Sequence, residues 1–157
     1  MKLNIICLMM FVSILLTACL ESENTSSSIA ANVNEEEMKQ RQLGAFEKAS
    51  AAPRQFRESL KEDCPHFNSI LLTTAETIQL GTRVFNAGGI SLTNRIYEGT
   101  VYKILFTIKN DCMDLSDALQ AGIAMAEEKE SYHDKAWALR NSLDLIMGGP
   151  PLKPPGG

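Results

Sequence analysis

The sequence predicts an all-α domain of four or five helices, and three observations lead there. Apolar residues recur at steps of three and four along most of the chain, the spacing that lines one face of a helix. No segment sustains the period-two alternation of a half-buried strand. Backbone-breaking residues, Pro53 and Gly88-Gly89, fall between the apolar stripes and the run from Gly148 follows the last of them, so the connections are short.

The elements follow in chain order. Asn34 followed by Glu35-Glu36-Glu37 reads as an N-cap with acids in the first turn, opening a polar helix that runs to about Ala51. Pro53 interrupts or restarts it, and Phe56 and Leu60 carry a weak stripe toward Cys64. Phe67, Leu71, Thr74, Ile78, Gly81 and Phe85 form one apolar face, which Gly88-Gly89 ends. Tyr97, Val101, Ile104 and Ile108 form the next stripe, with Leu105 and Cys112 beside it. Leu115, Leu119, Gly122 and Ala126 form a shorter one. Tyr132, Ala136, Leu139, Leu143 and Ile146 form the last, opened by Ser131 and Asp134 in the spacing of a capping box. The expected domain is therefore residues 35–147. The tail, residues 148–157, is rich in Gly and Pro and is expected to be disordered or extended.

The N-terminus is of another kind. One early charge, Lys2, precedes an apolar run from Leu3 to Leu16 that is too short to span a bilayer as a helix and has the layout of a secretory signal. Its end, Leu16-Thr17-Ala18-Cys19, resembles the lipobox of bacterial lipoproteins. That resemblance implies cleavage before Cys19, a diacylglyceryl thioether and an acylated amine on that residue, and stable anchoring by more than one chain. Leu20, where lipoproteins retained in the inner membrane carry Asp, implies sorting to the outer membrane, facing the periplasm. Residues 1–18 are then a signal peptide, and residues 19–34 the lipidated cysteine with a Ser-rich tether.

On this reading the four cysteines separate. Cys7 leaves with the signal and Cys19 carries lipid. Cys64 and Cys112 remain as a pair in an oxidising compartment, where a disulfide is expected. Cys64 precedes the Phe67 helix and Cys112 follows the Tyr97 helix, so the two meet if those helices are antiparallel.

Composition narrows the function. The 157 residues carry a net charge of −4, and loss of Lys2 with the signal makes it about −5. No dense basic run exists, which argues against nucleic acid and against an added electrostatic hold on anionic lipid. Cys64-Pro65-His66 begins like a redox motif, but Phe67 stands where the second cysteine belongs. Cys64, His66, Cys112 and His133 lack the spacing of a zinc site. The acidic runs Glu35-Glu36-Glu37 and Glu127-Glu128-Glu130 read as solvated helix ends, and no nucleophile, base and orienter assemble. The expectation is a non-enzyme with no catalytic residues, no metal and no cofactor. Trp137 and nearby Tyr132 read either as core aromatics or, with Arg140 one turn after Trp137, as the candidate partner-binding patch.

A second resemblance covers residues 60–147. Tyr97-Glu98-Gly99-Thr100-Val101, then Cys112, then Asp117 to Ile123, then His133-Asp134-Lys135-Ala136-Trp137-Ala138-Leu139 resemble the small helical immunity proteins that protect bacteria from type VI secretion amidase effectors. The chain departs from them in lacking a cysteine after the last helix and in its lipid anchor. The resemblance implies an inhibitor that plugs a cell-wall hydrolase. The rival expectation is a structural or accessory lipoprotein of a secretion, pilus or conjugation apparatus, with the Pro-rich tail docking a partner.

Overall fold

The computed structural model describes residues 34–108 and 111–153. The signal, Cys19, the tether before residue 34 and Pro154 to Gly157 lie outside them. The chain divides into two units after Lys39. Of the first, the described residues 34–39 are helical and exposed. The contacts below lie within the second, from Gln40 onward.

Six helices and no strand occur among the described residues: α1 (34–51), α2 (Pro53–Asp63), α3 (Phe67–Asn86), α4 (Ile90–Ile108), α5 (Met113–Glu127) and α6 (Tyr132–Ile146). Pro53 separates two helices rather than kinking one. It stands at the first position of α2, where a missing N–H costs nothing. Asn34 is itself helical, so it does not cap α1 as expected.

Both Gly-Gly pairs stop a helix in the same way. After α3, Gly88 takes φ +84° and donates to Phe85 O, while the Gly89 N–H reaches back to Val84 O. After α6, Gly148 takes φ +76°, donates to Leu145 O, and the Gly149 N–H bonds Asp144 O. This is the Schellman closure, which needs a left-handed residue that Gly adopts without strain. Past it, the tail does not leave at once: the Leu152 N–H bonds Asn141 Oδ1 at 2.8 Å and the Asn141 amide returns a bond to Leu152 O at 3.1 Å.

The turn at Gly88 folds α4 antiparallel onto α3. Thr77 Oγ1 lies 3.1 Å from Thr100 Oγ1, and the Thr93 hydroxyl bonds the carbonyls of Gly89 and Gly81. At the open end Cys64 and Cys112 form a disulfide, with Cα atoms 5.3 Å apart. The crosslink and the antiparallel pairing agree, as expected.

Helix α6 is the hub, packing on α2, α3, α4 and α5. Its last turn, Ser142 to Ile146, is buried on every side. The expected stripes of α4 and α5 are buried throughout. Two expectations shift. In α3 the buried line is Phe67, Ile70, Thr74, Thr77 and Gly81, with Leu71 and Ile78 at its margin, because α3 meets α4 along a narrow seam and the wider apolar stripe overruns it. In α6 Tyr132 is 53% exposed, one turn too early to reach the core. Helix α1 lays Phe46 and Ala49 on the core and is tied to α5 by an Arg41–Asp117 ion pair and a Gln42–Gln120 hydrogen bond.

Candidate functional site

Helices α3, α4 and α6 enclose a cleft of about 160 Å³ lined by Thr82, Phe85, Asn86, Tyr97, Ala136, Trp137 and Arg140. Its floor exists because α3 carries no side chain at residue 81. A Cβ there would collide with the Tyr97 ring, so Gly81 lets that ring lie flat against α3. One wall is aromatic: Phe85 meets Trp137 edge-on at 6.2 Å and His133 at 5.5 Å, and the His133 and Trp137 rings are 6.5 Å apart. Trp137 also lines a second cleft of about 350 Å³ with Phe46, Met125, Lys129, Asp134, Ala138 and Asn141. Its Nε1 is buried and has no hydrogen-bond partner among the described residues.

Arg140 supplies the charge beside the first cleft, and its partners hold it in place. Nε donates to both carboxylate oxygens of Asp144, at 2.9 and 3.0 Å, and Nη1 donates to Thr82 Oγ1 at 3.2 Å. Burial works against the guanidinium charge, but the Asp144 hydrogen bond and field, with a smaller contribution from Tyr97, outweigh it and raise the Arg140 pKa. Burial is also the largest influence on Asp144 and pushes its carboxyl up, against the pull of Arg140. Arg140, braced by Asp144 within α6, therefore ties α6 to α3 through Thr82 at the edge of the cleft. At the other end of α6, hydrogen bonds from His133 and then Ser131 hold the Asp134 carboxyl below its usual range.

The structure thus brings Trp137 and Arg140 to one cleft but leaves Tyr132 out. Tyr132 lines a separate hollow with Asn94, Glu98, Ile123 and Lys135. Tyr132 and Trp137 do not share a patch, because five residues along a helix set two side chains about 140° apart around its axis. Sequence reasoning missed Thr82 and Tyr97 as cleft residues, since the cleft forms only where three helices meet. It also missed Asp144, although Arg and Asp at i, i+4 were legible as a pair.

Cys64 and Cys112 are joined and so offer no thiolate ligands, and His66 lies at the exposed start of α3 while His133 stacks on Phe85. Among the described residues no group of three or more His, Cys, Asp or Glu could hold a metal ion, and no helix is long and apolar enough to cross a membrane. No family model matches the chain, and no characterised protein or solved structure is significantly similar to it.

Proposed function

We propose that this chain is an exported, lipid-anchored protein without enzymatic activity that binds another protein in the bacterial periplasm, in its most concrete form an immunity-type inhibitor of a cell-wall hydrolase. The observation that carries this reading is the Cys64–Cys112 disulfide. Disulfides persist in oxidising compartments, which is where the signal and the Leu16-Thr17-Ala18-Cys19 motif would deliver the chain. Acyl chains on Cys19 would hold the helical domain at the membrane and raise its concentration near a target there.

The aromatic cleft supports the binding half of the reading. Phe85, Tyr97 and Trp137 offer a concave apolar seat, and Arg140 is braced at its edge by Asp144, so a partner side chain would meet a preorganised wall. The net negative charge suits a basic partner.

Two measurements test it. Intact mass of the protein from its own host should show a chain beginning at acylated Cys19; an uncut, unacylated start overturns the anchoring. A peptidoglycan amidase encoded beside its gene should be inhibited stoichiometrically, and Trp137→Ala should weaken that inhibition at least tenfold, the loss of about 1.4 kcal/mol or more that defines a contact near the hot-spot range. Undiminished inhibition by the variant, or no binding, would rule out the cleft.

A further inference from the structure

We infer that the outer face of α4 rests on an anionic phospholipid surface. Residues Leu92, Arg95, Gly99, Tyr102, Lys103 and Phe106 share the side of the helix turned away from the core residues Tyr97, Val101, Ile104 and Ile108. Leu92 is 54% exposed, Tyr102 49% and Phe106 80%. Phe106 is thus nearly bare on a well-formed helix, outside the core cluster of the described residues. The face runs 15 residues, from Leu92 to Phe106, on the order of 20 Å along the helix.

Its charge chooses the occupant. Arg95 and Lys103 are exposed and make no ion pair among the described residues, and no acidic residue lies on this face. Glu98 sits on the flank, half-buried, in the hollow with Lys135. A chain of net charge −4 therefore turns one wholly basic, apolar and aromatic helix face outward. Leu, Phe and Tyr flanked by Arg and Lys is the composition of a helix lying in the plane of a bilayer, apolar residues in the acyl boundary and cations at the headgroups. A second copy fits less well. Antiparallel pairing across Gly99 would set Arg95 opposite Lys103 of the other copy, cation on cation. The sequence carries no basic run here because the helix gathers these cations from eight residues apart. Docking through α4 orients the domain on the membrane and does not need the proposed acylation of Cys19.

The test uses the full chain in phosphatidylcholine vesicles with brominated acyl chains, with and without phosphatidylglycerol. In a Trp137→Phe background, an indole introduced by Phe106→Trp should be quenched by the bromines in anionic vesicles, and one introduced by Leu72→Trp on exposed α3 should not. Arg95→Gln and Lys103→Gln should each lower the ratio of docked to undocked domain about fivefold. Circular dichroism of each variant should match that of the Trp137→Phe background, since positions 72, 95, 103 and 106 are all exposed. Equal quenching at 106 and 72, or quenching indifferent to phosphatidylglycerol and to both Gln variants, overturns the proposal. So does shielding at 106 that grows with protein density without quenching, which would mean a second copy. Acylation is read by mass and docking by quenching, so failure of one is not mistaken for failure of the other.

Discussion

Thr74 is fully buried in the α3–α4 seam, and its hydroxyl has no hydrogen-bond partner among the described residues. Burying an unpaired hydroxyl costs about 1–3 kcal/mol, so Thr74→Val, which keeps the shape and removes the polar atom, should stabilise the fold by roughly 1 kcal/mol in urea unfolding. Unchanged or lower stability would show that the hydroxyl has a partner in solution. Asp134 makes the opposite case. Hydrogen bonds with His133 and then with the Ser131 hydroxyl hold its carboxyl below the ordinary 3.8, and its N–H donates back to the Ser131 hydroxyl oxygen. A depressed carboxyl stabilises the fold above its unfolded pKa and loses that contribution as pH falls through the folded value. The stability gap between the native chain and Asp134→Asn should hold steady from pH 7 to about pH 5 and close as pH drops below 3.8. A gap that persists at low pH would assign the effect to something other than ionisation. The Ser131 cap was legible because capping is local. Thr74 was read as part of an apolar stripe, but whether its hydroxyl would find a partner was not legible.

Helices approach where side chains vanish. A Cβ on Gly122 in α5 would collide with the Ser142 Oγ of α6 and stand 2.8 Å from its Cβ. Rotating the hydroxyl away cannot relieve the second contact. Gly122→Ala must push α5 from α6, and we expect a loss of about 1–3 kcal/mol, the usual cost of overpacking, seen as a lower midpoint of thermal unfolding. If Gly122→Ala instead stabilises, helix propensity has won and the contact is loose. Gly122 in an apolar stripe was visible in the sequence as a close-packing position; that its neighbour would be Ser142 was not. The α3 stripe shows the limit of periodicity most clearly. Period 3.6 located the helix and its end at Gly88, yet the buried line runs through Ile70 and Thr77, which the reading of the sequence left out. Periodicity reports an apolar arc, and the partner helix decides which part of the arc is covered.

At the scale of the molecule, one covalent link closes the α3–α4 hairpin at its open end. Cys64 and Cys112 are 48 residues apart, and a loop of that length gives about 4 kcal/mol in the chain-entropy model. Reduction, or paired replacement by Ala, should lower unfolding stability by roughly that amount while leaving the helical circular-dichroism spectrum at low temperature intact. A loss well under 1 kcal/mol would mean that the unfolded chain is already held compact. The sequence by itself determined the helical class, the glycine stops after α3 and α6, the cap of α6 and the cysteine pair. Each depends on residues close in the chain or on simple arithmetic of their kinds. Tertiary structure alone decided that Trp137 shares a cleft with Phe85, Tyr97 and Arg140 while Tyr132 does not, and that Arg95, Lys103 and Phe106 share a face left uncovered. Those outcomes depend on how helices rotate against one another, and that rotation is set by contacts between residues far apart in the chain.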